Sequence, residues 1–295
     1  MPPYILIPIL AAVFYCIGSL FNKQAMAAGC GQFRITALNA WVPALTLLPA
    51  FFFYSDPMPL HLWYQPLTAA ACFYMGSLFF ILALRTGDLS IVAPVAGAKP
   101  IMNALLVSSL LGVTVPFSTW IAAGLTLIAL TVLRSPNKTT SHSFLRTVLV
   151  TMSSSLSFAL CDTCFQHWAG GWGVMRFGAL TFLIAAIACL GMIPHFSTPW
   201  KKLSKAARTH TAAGAFFCML PALCMAFTLG RYGHAPEVNV AYSSRAVISI
   251  VAVRLLSRWI GSTEHHISRA VLIRRLVGTA ILTSAVALVI FGSAS

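Results

Sequence analysis

Residues 84–100 read LRTGDLSIVAPVAGAKP and residues 230–246 read GRYGHAPEVNVAYSSRA, and the two stretches align without a gap. The alignment sets Arg85 on Arg231, Gly87 on Gly233 and Lys99 on Arg245. Two further pairs of segments keep the same order. GQFRITAL (31–38) matches GVMRFGAL (173–180), with Gly31 on Gly173 and Arg34 on Arg176, and GLTLIALTVL (124–133) matches GTAILTSAVAL from Gly278. One structural unit is therefore expected twice, and the rest of the reading follows from that duplication.

The unit is built for lipid. Hydrophobic residues make up 59% of the chain, charged residues 8%, and the mean hydropathy is +0.86; a water-soluble globule typically carries about 25% charged residues. At roughly 20 apolar residues per span, a chain of 295 residues has room for about ten. Apolar runs separated by polar or Gly/Pro breaks predict spans at 4–22, 35–54, 63–84, 89–112, 117–133, 146–167, 174–193, 211–229, 236–257 and 272–292. Five spans per copy is an odd number, so the second copy enters from the opposite side and the repeats are inverted. The predicted fold class is an all-α membrane protein of ten transmembrane helices in two inverted repeats: 1–134, a basic connector 135–145, and 146–295. The opening MPPYILIPILAAVFYCIGSLF lacks a basic n-region and a small-residue cleavage site, so it is expected to stay as the first span.

The formal charge of +14 points to topology rather than nucleic acid. Connectors after spans 1, 3, 5, 7 and 9 hold Lys23, Arg34, Arg85, Arg134, Lys138, Arg146, Lys201, Lys202, Lys205, Arg208, Arg254, Arg258, Arg269, Arg274 and Arg275. The opposite side holds only Arg176 and Arg231. The basic connectors are thus expected in the cytoplasm and both termini outside, in a bacterial inner membrane.

The stretch ALRTGDLSIVAPVAGAKPIMNALLVSSLLGVTVPFSTWIAAGLTLIAL resembles the fourth and fifth helices of an EamA-type repeat of the drug/metabolite transporter superfamily. The points of likeness are Ala83-Leu84-Arg85, the mid-helix Pro100, Leu111-Gly112 and Gly124. The resemblance implies a ten-helix transporter. Two positions depart from the pattern: Val113 stands where a Glu commonly follows Leu-Gly, and Pro100 has Ala246 as its partner, so the second copy is expected to lack that kink.

Charges within the spans carry the functional reading. Lys99 lies about eleven residues into its span, roughly 16 Å deep at 1.5 Å per residue, and Arg245 is at the matching depth. A central cation costs about 2.5–3.5 kcal/mol even on the permissive insertion scale, so it calls for a partner. Asn103 and Ser249 follow one turn after Lys99 and Arg245, and Tyr242 precedes Arg245 by three; residues so spaced share a helix face. Of five acids, Asp56 and Glu264 fall in connectors, Asp88 and Glu237 at helix entrances, and only Asp162 well inside. Asp162 is expected to be the partner of Lys99 or Arg245 in preference to a proton-coupling group. The expected substrate-binding set is Lys99, Arg245, Asn103, Tyr242, Ser249 and Asp162. The placement of the two cations is similar to that of the sugar-phosphate/phosphate translocators, except that Ser244 stands where those have a Lys before the second cation.

Cys161 and Cys164 form a CxxC with no second ligand pair, and His265-His266 reads as a solvated face, so no metal and no cofactor are expected. The seven Trp residues read as interfacial anchors, with Trp41 as a cavity candidate. No GxxxxGK[ST] loop and no HExxH occur, which argues against ATP-driven transport and against an intramembrane metalloenzyme. The expectation is a monomeric secondary transporter or exchanger of a small anionic or zwitterionic metabolite, surrounded by membrane lipid. The alternatives are an amino-acid or drug-like exporter of the same fold and a non-transporting accessory subunit.

Overall fold

The structure is a computed structural model that describes residues 1–52, 57–86, 92, 95–133, 141–249 and 269–292. The described residues contain helices and no strand. In lipid this is the expected economy, since a helix satisfies its own backbone hydrogen bonds where no water is present.

In chain order the helices are α1 (Pro3–Ala27), α2 (Gln32–Leu47), α3 (Tyr64–Thr86), α4 (Lys99–Leu110), α5 (Phe117–Leu133), α6 (Ser141–Trp172), α7 (Val174–Ala188), α8 (Lys205–Tyr232), α9 (Ala235–Tyr242) and α10 (Arg269–Gly292). Short 3-10 turns extend α2 and α7, at Leu48–Phe52 and Cys189–His195. Among the described residues, six stretches are long and apolar enough to cross a bilayer: Pro3–Ala27, Gln32–Phe52, Leu60–Arg85, Leu145–Trp172, Val174–His195 and Lys205–Tyr232. Shorter apolar helices occupy Phe117–Val132 and Leu276–Gly292. The expected fourth and ninth spans fall partly outside the described residues, as do Asp56, Asp88, Glu264 and His265-His266.

Helix faces sort as lipid solvation requires. Leu6, Leu45, Leu110, Phe117, Leu149, Leu276 and Phe291 are exposed, whereas the interior is dominated by alanines such as Ala11, Ala12, Ala37, Ala40, Ala69, Ala70 and Ala185. Lipid tails are as apolar as leucine, so close approach of small residues holds such helices together. The α1–α8 contact shows it: a Cβ placed on Gly18 would sit 2.6 Å from Cys218 Sγ and 2.9 Å from the Cys218 backbone nitrogen. Hydroxyls inside helices are satisfied by the preceding turn, as in Thr126 to Ala122 O at 2.8 Å and Thr211 to Ala207 O at 2.7 Å.

The helices pack in pairs: α1 with α8, α2 with α7, α3 with α6, α4 with α9 and α5 with α10. The helical path also tightens at two places. Gly97-Ala98 form a turn ahead of α4, with Ala98 N–H bonded to Val95 O at 3.1 Å, and Ser243-Ser244 form a turn after α9, with Ala246 N–H bonded to Ser243 O at 3.0 Å. This corrects the expectation that only the Pro100 copy is interrupted. The second interruption needs no proline: Ser243 turns its hydroxyl back onto Asn239 O at 2.8 Å, a bond that weakens the local ladder and favours a bend.

Candidate functional site

Lys99 is the first residue of α4, and Pro100 follows it in the first helical turn, where the missing N–H has no partner to lose. Asn103 stands one turn further on, on the same face. Both reach Asp162 of α6: Lys99 Nζ lies 2.8 Å from Oδ2, and Asn103 Nδ2 donates to Oδ2 at 3.3 Å. A third donor comes from α9, where Asn239 Nδ2 bonds the same oxygen at 2.7 Å. One carboxylate oxygen thus gathers three helices. Lys99 Nζ also lies 5.8 Å from the Phe158 ring, one turn before Asp162. Asn103, Asn239 and Asp162 are buried. A buried carboxylate is tolerable when a Coulombic partner and hydrogen bonds are supplied, and here Oδ2 has both.

Arg245 follows the Ser243-Ser244 turn. Its guanidinium carbon lies 4.6 Å from the Tyr242 ring centroid and 4.9 Å from that of Tyr15 on α1, and these rings meet edge to face at 6.0 Å. Cys16 Sγ donates to the Arg245 carbonyl at 3.2 Å, tying the same turn to α1. Cation–π contacts contribute about 0.5–2 kcal/mol each, which only partly offsets the desolvation of this half-buried charge. Among the described residues no carboxylate pairs with Arg245. Glu237, in the first turn of α9, accepts from Thr119 Oγ1 at 3.0 Å instead. Asn239 and Tyr242 lie three apart on α9, about 4.5 Å along its axis, so the carboxylate cluster and the Arg245 box adjoin along one face.

Of the residues read from the sequence, Lys99, Asn103 and Asp162 are brought together, and Tyr242 stacks on Arg245. Ser249 is not drawn in; its hydroxyl bonds Ala246 O at 2.9 Å, within its own turn. Tyr15, Phe158 and Asn239 were missed. Asn239 carried a signal, being an amide in an apolar run one turn before Tyr242, but the two aromatics look like ordinary helix packing. Trp172 departs from the anchor reading: it is buried and donates from Nε1 to Gln65 Oε1 at 2.8 Å. Trp41 bonds Ala186 O at 2.9 Å and so joins α2 to α7. Cys161 and Cys164 are buried free thiols, and no group of three His, Cys, Asp or Glu that could hold a metal occurs among the described residues.

A multi-pass bundle of apolar helices with charged groups held inside it defines a multi-pass integral membrane protein. Residues 2–135 match the EamA-like transporter family, which belongs to the drug/metabolite transporter superfamily. Twenty-nine chains of solved structures match as well. One crystal structure superposes with a TM-score of 0.76 at 15% identity, over 97% of this chain and 95% of its own; at that identity the likeness carries the fold alone. No curated protein matches.

Proposed function

We propose that the chain is a secondary active transporter or exchanger of a small anionic or zwitterionic metabolite, working by alternating access. The observation that carries this reading is Arg245, held between two tyrosine rings with no carboxylate partner among the described residues. Lys99 and Asp162 cancel, so two cations and one carboxylate leave the cluster one positive charge. That balance suits a substrate presenting a single anionic group, such as a carboxylate or a phosphate ester, more than one with several.

The duplicated architecture belongs to the same proposal. Ten spans form two inverted repeats, 1–134 and 146–295, joined by the connector 135–145. The α1–α8, α2–α7, α3–α6, α4–α9 and α5–α10 pairing supports it, because a two-fold relation between halves exchanges the first and third helices and returns the others to their own counterparts. The matched turns before Lys99 and Arg245 support it too: interrupted helices at a repeat interface are a recurrent way of building a substrate site.

The test is uptake into liposomes of labelled phosphates, carboxylates, nucleotides and amino acids, comparing wild type with Lys99→Ala and Arg245→Ala. Loss of Arg245 is expected to reduce anion uptake at least about tenfold, a loss of about 1.4 kcal/mol. Anion uptake that survives both substitutions overturns the site, and transport of cations alone overturns the substrate class. Uptake of amino acids without other carboxylates points to an amino-acid exporter of the same fold instead.

A further inference from the structure

A second cation is buried at another place, in the cleft between α2 and the segment that follows α7. Arg34, in the first turn of α2, is 6% exposed. The segment 196–200 closes over it. A Cβ on Gly31 would meet Ser197 Oγ at 2.6 Å, which shows how closely that segment sits on the start of α2. The Arg34 guanidinium carbon lies 4.9 Å from the Phe196 ring centroid and 5.9 Å from that of Trp200. Nη2 donates to Thr198 O. Nη1 is buried and has no hydrogen-bond partner.

No acid among the described residues answers this charge, because Asp162 is committed to Lys99 and Glu237 to Thr119. Arg34 instead lines a cleft of about 570 Å³ together with Leu38, Trp41, Ile193, Phe196 and Trp200. That volume falls in the range of small-ligand sites, about 300–1,000 Å³. Its walls are apolar apart from the guanidinium and Thr198. Trp200 leads directly into Lys201 and Lys202, which are exposed. An occupant must offer an anionic oxygen to Nη1, apolar surface to Leu38 and Ile193, and a site of entry beside basic side chains. A free inorganic anion meets only the first of these requirements. An anionic phospholipid meets all three.

We propose that this cleft binds the headgroup phosphate of an anionic phospholipid, with the adjoining glycerol and first acyl carbons against the apolar wall. A guanidinium that only clamps the 196–200 segment onto α2 would affect stability but not discriminate between lipids. The test is native mass spectrometry of the full chain in detergent, titrated with phosphatidylglycerol, phosphatidylcholine or inorganic phosphate. Wild type is expected to bind phosphatidylglycerol about tenfold more tightly than phosphatidylcholine, whose choline brings a cation up against Arg34, Lys201 and Lys202 and offsets the contact to its phosphate. Arg34→Gln should abolish the preference, and so should Leu38→Trp, which fills the cleft and keeps the charge. If Arg34→Gln does not fold, Leu38→Trp decides. Equal binding of the two lipids by wild type overturns the proposal, as does a preference that survives both substitutions. Inorganic phosphate binding as tightly as phosphatidylglycerol overturns the lipid assignment in favour of a soluble anion.

Discussion

The Asp162 cluster concentrates three donors on one oxygen, so its members are not interchangeable. Lys99→Met leaves a buried carboxylate without its cation and is expected to cost about 3–5 kcal/mol, whereas Lys99→Met with Asp162→Asn removes both charges and should recover most of that loss. Denaturation of the single and double variants in detergent measures the coupling; additive losses would show that the pair is not a unit. Lys99 and Asp162 were legible in the sequence because a charge in an apolar run always demands an account. Asn103 was legible from its spacing alone. Ser249 stands apart from the cluster for a physical reason: a helical hydroxyl can satisfy itself on the preceding turn, as Ser249 does on Ala246 O, so spacing does not say where it points. Tyr15 was invisible because its role depends on a residue 230 positions away in sequence, and nothing local distinguishes a ring that stacks on a cation from one that packs on leucine.

At the scale of helices, hydropathy located the long spans well, since lipid imposes length and apolarity together. It did not locate the interruptions. Pro100 announced one of them, but the Ser243-Ser244 turn arises from a serine bonding back to Asn239, and serine is common in uninterrupted helices. Helix contacts were likewise unreadable, because the small residues that mediate them are too frequent to mark a face. The α1–α8 contact is open to test. Gly18→Val forces side-chain atoms into Cys218 of the facing helix and is expected to destabilise the protein by about 1–3 kcal/mol. Thermal unfolding in detergent checks it, and an unchanged midpoint would mean that the two helices separate more readily than their contact implies.

For the whole molecule, the Lys/Arg bias predicts an orientation that the two ends of the bundle make testable. Leu60 and Lys202 are both exposed, in turns that the bias assigns to opposite sides of the membrane. The native cysteines are buried or half-buried, so background labelling should be low. A membrane-impermeant maleimide applied to intact cells is expected to label Leu60→Cys and spare Lys202→Cys; the reverse pattern inverts the topology. The paired turns at Gly97-Ala98 and Ser243-Ser244 matter at this scale as well. A continuous helix transmits displacement as a rod, but a helix with a tightened turn swivels there at small cost. Lys99 and Arg245 each begin the segment beyond such a turn, so the two cations sit on pivots: any rocking of one half of the bundle against the other would re-aim both charges while their helices stay folded.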